Sequence, residues 1–488
     1  MKISYSTLQG IKISFISRIV HMGTNGLLIV LLASFLLQPE EYGLLFLALA
    51  VIGVSQVIAD LGVARSAARY VAEYKETTPS QVPHILTVSL QFKVILIAIV
   101  CSGLILGRNH IATILGEPLL GPALLLGAAY LSFRSMRSFF VTVFQGFNRV
   151  EFSAFVAITE NITRIGLVVA FVGLGWGVSG ALIGYTMSSA LAVCVGVVIL
   201  FKISQNYERA KTIENTLQRR ILEYSIPLTA SESANVIDRR VDILLVGFFL
   251  NPVAVAWYTL SKQITEFVEA PAGSVGFALS PMYGEEKAND RLDHAAKVYE
   301  LSLNYVLLLY IPAAVGLAIV AEPAILVIFG NEYAGAIPVL QVFSLFVLFK
   351  AVDDITTQSI DYLGRARQRA IAKAVTTIAN VGLNLLLIPT VGVVGAAIAT
   401  VVTFGLYTIA NVYIMTCALP LQWRSISRTF SIVTVISGVM GGCVYFLASH
   451  ATDVLSLAGV VVIGVLVWLL LVTASGLLDV EKATSALM

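Results

Sequence analysis

Residues 454–478 read VLSLAGVVVIGVLVWLLLVTASGLL, twenty-five positions without one ionisable side chain. About 20 apolar residues are enough for a helix to cross a bilayer. A soluble helix with no charged face would have nothing to present to water. This segment therefore reads as a membrane span, and the same test can be carried back along the chain. It finds thirteen more spans, at 13–37, 42–66, 85–107, 119–145, 152–175, 177–202, 225–250, 252–281, 297–321, 334–362, 368–389, 392–418 and 427–448. The expected fold is an all-α integral membrane protein of about 14 transmembrane helices.

Composition agrees. The 488 residues hold 31 Lys and Arg against 29 Asp and Glu, so 12% of the chain is charged. Soluble domains carry about 25%. So few charges cannot solvate a soluble enzyme of this length, and a net charge of +2 gives no footprint for nucleic acid. Cys101, Cys194, Cys417 and Cys443 lie far apart in apolar runs, and the five histidines have no ligand spacing, so no metal site is expected. No P-loop, GxSxG or HExxH pattern is present, so no catalytic residues are assigned and the chain is expected not to be an enzyme. The first span follows Lys2, Lys12 and Arg18 as a signal peptide would, but its apolar run is long and its end recurs later, so it is read as uncleaved.

Basic residues accumulate on the cytoplasmic side of spans. With the N-terminus inside, the outside connections near 38–41, 108–118, 176, 251, 322–333, 390 and 449–453 contain Arg108 alone of all the Lys and Arg residues. Arg65, Arg69, Arg137, Arg149, Arg219, Arg220, Arg365 and Arg424 are among those at inside connections and span ends. An odd span count would break this alternation, so both termini are expected in the cytoplasm. Polar stretches at 203–223 and 283–296 read as cytoplasmic loops.

The chain also resembles itself. Span 1 ends Phe35-Leu36-Leu37-Gln38-Pro39 and span 7 ends Phe249-Leu250-Asn251-Pro252, an offset of 213 between the prolines. Gly177-Val178-Ser179-Gly180-Ala181 pairs with Gly392-Val393-Val394-Gly395-Ala396 at 215, and Gly166-Leu167 with Gly382-Leu383 at 216. One near-constant offset predicts two pseudo-symmetric six-helix halves, 1–202 and 225–418. They are joined by a linker at 203–224 and followed by an extra helix pair in 419–488. Parallel repeats of this kind occur in transporters, with the substrate between the halves.

Intramembrane charges are costly and mark function or pairing. Here they form helical stripes: Arg18, His21 and Asn25; Gln56 and Asp60; Glu160 and Arg164; Glu232, Asn235, Arg239 and Asp242, flanked by Asp238 and Arg240; Lys262, Glu266 and Glu269. They suggest a hydrated, inward-open cavity between spans 1, 2, 5 and spans 7, 8, 10. Two plainer readings stand beside it. Lys350, Asp353, Asp354 and Asp361, near a span end, read as surface charges. Glu160 with Arg164, and Asp238 or Asp242 with Arg239, can simply pair. Gly103/Gly107, Gly180/Gly184 and Gly438/Gly442 are spaced for close helix packing, and Pro227, Pro271, Pro281 and Pro312 for bends.

Pro39-Glu40-Glu41-Tyr42-Gly43, Ala59-Asp60-Leu61-Gly62, Arg69-Tyr70-Val71-Ala72-Glu73, Gln145-Gly146-Phe147-Asn148-Arg149 and Asn235-x-x-Asp238-Arg239 occur in that order. In order and spacing the chain resembles the polysaccharide-biosynthesis flippases, the O-antigen and oligosaccharide translocases of the multidrug/oligosaccharidyl-lipid/polysaccharide exporter superfamily. The resemblance implies alternating-access transport of a lipid-linked oligosaccharide across the cytoplasmic membrane. Membrane lipids and other glycan-assembly proteins would be its partners, with no nucleic acid. By motif match Arg239 and Arg18 take the head-group role. Arg164 and Lys262 join them on depth. Asp60, Glu160, Asp238 and Asp242 are candidate coupling or pairing carboxylates, the coupling ion being H⁺ or Na⁺, and no cofactor is implied. A cation-coupled multidrug antiporter of the same superfamily and a membrane-embedded glycan polymerase are the alternatives.

Overall fold

The computed structural model describes residues 5–208, 217–289 and 291–477. Among them the chain is helical throughout, with no strand. The helices are α1 (Tyr5–Leu31), α2 (Pro39–Asp60), α3 (Val63–Thr77), α4 (Val82–Ile114), α5 (Leu120–Gly146), α6 (Val150–Phe171), α7 (Gly177–Ser204), α8 (Leu217–Phe249), α9 (Pro252–Ala288), α10 (Leu292–Phe329), α11 (Ala336–Tyr362), α12 (Ala366–Val391), α13 (Val393–Thr416), α14 (Trp423–Ala448) and α15 (Val454–Ala474). Every sequence-predicted span falls on one of these. The helix without a span is α3.

Ten stretches of the described residues are long and apolar enough to cross a membrane, and one of them, 150–204, holds both α6 and α7. Helices α5, α8 and α9 lie outside those stretches. Their composition explains it: α5 carries Arg134 and Arg137, and α8 and α9 carry the charge stripes. A hydropathy test penalises helices that carry charges. Outer faces elsewhere are apolar and exposed, with Leu106 on α4, Ile378 on α12, Phe446 on α14 and Leu455 on α15 all more than two-thirds exposed. In water such surfaces would associate. In lipid they are solvated, because the helices satisfy their own backbone polar groups.

The chain forms two compact units, 1–256 and 257–488. In the first, α7 packs on α5 and α6, α1 lies on α6, and α2 contacts α5 and α8. In the second, α10 packs on α11 and α14, α13 on α11 and α12, and α15 on α14.

The motif residues shape the first unit. Pro39 opens α2, where a missing N–H costs nothing. Gln38 and Glu41 form a capping box, the Glu41 carboxylate accepting from the Gln38 N–H at 3.3 Å. Tyr42 is fully buried. Gly43 lies so close to the Pro252 carbonyl that a Cβ would overlap it. Leu61 and Gly62 take the left-handed conformation, ending α2 and turning the chain into α3. Asn148 (φ 58°) makes the turn between α5 and α6. The repeat pairs have matching roles: Pro39 and Pro252 each begin a helix, and Gly177 and Gly392 each take positive φ where α7 and α13 begin.

Helix α3 is amphipathic. Val63, Ala67, Tyr70, Val71 and Tyr74 are buried, while Arg65, Arg69, Glu73 and Glu76 face outward. Of the glycine pairs, only Gly180/Gly184 makes a close packing contact, on α6: a Cβ at Gly180 would sit 2.8 Å from the Phe171 carbonyl oxygen, and one at Gly184 2.7 Å from Val168. Gly103, Gly438 and Gly442 face open space and Gly107 meets one atom at 3.9 Å, so spacing alone misassigned them. Pro312 lies inside α10 with the helix continuing through it, as does Pro323.

Candidate substrate-binding site

Asp60 is the last residue of α2. Its carboxylate is ion-paired with Lys93 of α4, a side chain with no exposed surface. It also accepts from Ser135 of α5 at 2.5 Å and from Gln56 one turn earlier at 3.2 Å. Lys93 donates in addition to the Ala59 carbonyl at 3.2 Å. Both charges are neutralised and their hydrogen-bonding capacity is largely taken up. Asp60 is thus a pairing carboxylate in this structure.

Glu160, buried on α6, is 2.8 Å from Arg137 Nε of α5 and accepts from Ser189 of α7 at 2.8 Å. The intrahelical Glu160–Arg164 pair considered from spacing is therefore replaced by an interhelical one. Arg137 belongs inside the bundle and not with the loop charges that set topology.

Released from Glu160, Arg164 is bound by neutral groups. Its Nη2 donates to Asn25 Oδ1 at 2.5 Å and to Asn161 Oδ1 at 3.3 Å. Asn25 Nδ2 lies 3.1 Å from His21 Nε2, and His21 Nδ1 lies 3.2 Å from Asn161 Oδ1. The guanidinium carbon lies 5.5 Å from the Tyr185 ring centre. Tyr185 meets Tyr130 edge-on at 5.4 Å, and Arg134 lies over Tyr130 at 5.6 Å while donating to its hydroxyl at 3.3 Å. Among the described residues the first unit thus gathers Arg134, Arg137 and Arg164 near Glu160, and Asp60 also acts electrostatically on Arg134. At a rise of ~1.5 Å per residue, Arg164 lies ~21 Å from the start of α6 and Arg134 ~18 Å from the end of α5, well inside both helices.

The other predicted residues are distributed elsewhere. Asp242 is buried on α8. Lys262, half-buried on α9 in the second unit, lies 5.7 Å from the Tyr258 ring centre. The side chains of Arg18, Asp238 and Arg239 lie outside the described residues. In the second unit Asp353 is buried and accepts from Asn411 at 2.8 Å and Thr357 at 2.9 Å, which corrects its reading as a surface charge. Lys350 pairs with Asp354, and Asp361 with Arg369 at 2.9 Å.

Sequence reasoning passed over Lys93, Arg134, Arg137, Asn161 and Ser189. The signal for the arginines was present: positions 134 and 137 share one face of a helix otherwise rich in Leu, Ala and Phe.

Fold and site together define a multi-span, all-α membrane protein of the transporter kind. The chain belongs to the polysaccharide biosynthesis protein family, whose profile matches residues 7–285. A second profile, MatE, matches 227–390. The chain is 24% identical over 409 residues to the probable low-salt glycan biosynthesis flippase Agl15 of Haloferax volcanii, covering 84% of this chain and 83% of that one. It is 22% identical over 359 residues to the lipopolysaccharide biosynthesis protein WzxC of Escherichia coli, covering 72% and 69%. Among solved structures the fold is similar to the lipid II flippase MurJ in an inward closed conformation, with a TM-score of 0.75 at 18% identity over 96% of this chain and 98% of that one. It is also similar to an inward-facing MATE multidrug transporter, with a TM-score of 0.67 at 17% identity over 84% and 95%.

Proposed function

We propose that the protein is a flippase that carries a lipid-linked oligosaccharide across the cytoplasmic membrane by alternating access, and that it catalyses no covalent chemistry. The observation that carries this reading is the similarity to a glycan biosynthesis flippase along 84% of the chain. The buried polar cluster supports it, since a polar head group needs such a path through lipid. Arg164 and Lys262 act on the head group together with Arg18 and Arg239. Arginine suits a phosphate because it stays charged and presents a planar fork. Asp60, Glu160, Asp238 and Asp242 are the coupling or pairing carboxylates, with H⁺ or Na⁺ as the ion. In this reading all fourteen long helices cross the membrane, with both termini in the cytoplasm. The halves 1–202 and 225–418 move about the linker 203–224, and 419–488 adds the final pair. The matched helix-opening prolines and positive-φ glycines support the two-fold repeat.

The MatE match favours a second reading, a cation-coupled drug antiporter. Deleting the gene and measuring surface glycan beside drug sensitivity separates the two. Loss of glycan with unchanged drug tolerance is the expected result. Intact glycan with increased drug sensitivity would replace the first reading by the second.

A further inference from the structure

Two turns in different halves of the chain close in the same way. After α5, the amides of Phe147, Asn148 and Arg149 bond to the carbonyls of Val143, Gln145 and Phe144. After α11, the amides of Leu363, Gly364 and Arg365 bond to those of Ser359, Asp361 and Ile360. Each of these residues is 216 positions from its counterpart, the offset of Gly166 and Gly382. The middle residue takes positive φ in both turns, 58° at Asn148 and 76° at Gly364. This is the Schellman ending of a helix. It leaves the carbonyls at 146–147 and 362–363 without a helical donor.

In each turn a lysine from an earlier helix takes one of them. Lys75, in the last turn of α3, donates to the Gly146 carbonyl at 3.3 Å. Lys287, in the last turn of α9, donates to the Leu363 carbonyl at 2.7 Å. The segments that carry the lysines match as well. Tyr70 and Tyr283, like Glu73 and Glu286, are 213 apart, the offset of Pro39 and Pro252, and both tyrosines are buried. The end of α4 supplies a contrast. It closes with the same pattern at 115–117, Glu117 bonding to Ala112 and Gly116 taking φ 66°. Among the described residues no lysine donates to its carbonyls.

Water can satisfy a carbonyl at the aqueous end of a helix, so capping alone calls for no lysine. A lysine from another helix does more. It ties the turn to a segment 71 residues away in the first unit and 76 in the second. The α5–α6 hairpin so fastened carries Arg134, Arg137, Glu160 and Arg164, and the α11–α12 hairpin carries Lys350, Asp353 and Asp354. Rigid-body motion needs each hairpin to follow the helices before it at its end as well as along its length.

We infer that Lys75 and Lys287 are positioning residues with one task in the two repeats: each straps the turn of a polar hairpin to its own half, so that the half moves as one body during transport. They touch no substrate in this role. Their part in transport rests on the alternating-access reading; the straps do not.

The test combines amide hydrogen exchange of the full-length protein in nanodiscs with transport of a short-chain prenyl diphosphosugar in proteoliposomes. In the wild type, 147–149 and 363–365 should be better protected than 115–117 by roughly fivefold or more. K75M should lower protection at 147–149 by roughly fivefold and leave 363–365 unchanged, and K287M should do the reverse. K75R and K287R, which still donate, should keep protection within about twofold of wild type. K202M, changing an exposed lysine on α7, should alter neither turn. Each methionine variant should lower the maximal transport rate about threefold at an unchanged half-saturating concentration, and the arginine variants should recover it. Equal protection of the three turns in the wild type overturns the straps without any variant, so a misfolded variant does not rescue them. Methionine variants that lose protection in both turns, or in neither, overturn them as well. Lost protection with an undiminished rate overturns the positioning role. A wild type that moves no prenyl diphosphosugar, with the protection pattern intact, removes the flippase reading and leaves the straps.

Discussion

Glu160 pairs with Arg137 on the neighbouring helix and not with Arg164 one turn along its own. One carboxylate thus ties α6 to α5, and its Ser189 bond ties it to α7. Breaking such a pair leaves buried Glu160 without its ion-pair partner. Arg137→Met should destabilise the protein by about 2–3 kcal/mol, below the ~3–5 kcal/mol of a fully buried pair because Arg137 keeps some solvent contact. Adding Glu160→Gln should recover most of the loss. Thermal unfolding of both variants in detergent checks this, and equal losses in the single and double variants would show that the pair is not coupled.

Close packing between α2 and the turn into α9 gives a graded prediction. At Gly43 a new Cβ would meet the Pro252 carbonyl, which is backbone and cannot turn aside. At Gly247 it would meet the tip of Leu47 at 2.6 Å, a side chain that can change rotamer. Gly43→Ala should therefore abolish the folded protein or cost more than ~3 kcal/mol, with Gly247→Ala nearer ~1 kcal/mol. Yields of monodisperse protein and melting temperatures decide the order, and the reverse order would contradict the contact.

Topology is open to a labelling test. The fourteen-span arrangement puts 203–223 inside and 449–453 outside. In a background lacking the four native cysteines, Thr452→Cys should react with an impermeant maleimide in intact cells, and Asn206→Cys only after permeabilisation. Labelling of both in intact cells would require a different span count between them.

Most of the fold was legible because lipid imposes a simple rule. A helix facing lipid must be apolar around its exposed side, and runs such as 454–478 have no other reading. The positive-φ turns at Gly62 and Asn148 were visible as motif letters but not as geometry, since their purpose depends on which helix comes near. The site was legible by residue type and only partly by partner. Spacing along one helix exposes pairs such as Gln56 with Asp60, and the structure contains that bond. It is blind to partners on other helices. Lys93 was one lysine in an apolar run until α2 brought Asp60 against it. Arg137 looked like a loop charge because it lies near a span end, yet α6 places Glu160 opposite.

The start of α15 predicts a pH response. Asp453 caps the helix, accepting from the Ser456 amide at 2.8 Å and from the Ser456 hydroxyl. The hydroxyl and the amide hold its carboxyl below the usual carboxylate range. A depressed folded-state value means that the cap contributes fully above the unfolded-state range, near pH 4, and is lost as the pH falls through the lower folded value. Amide exchange protection at 455–457 should be constant from neutral pH down to about 5 and fall in stronger acid. Asp453→Ala should remove protection at every pH. A decline beginning near pH 6 would exclude the Asp453 carboxyl as the titrating group.

Arg164 carries the clearest functional expectation. Its guanidinium is positioned by Asn25 and Asn161 and is in no ion pair among the described residues, so its removal relieves a buried charge. Stability should change little, or rise, on Arg164→Gln, because the amide can still bond to the asparagines. Transport should suffer, since an anionic head group loses a partner well inside α6. The expected result is normal membrane abundance and melting temperature with surface glycan reduced at least tenfold. Arg219→Gln, on an exposed surface pair, should leave both unchanged. Unaltered glycan in a folded Arg164→Gln variant would make Arg164 a structural residue and take it out of the substrate path.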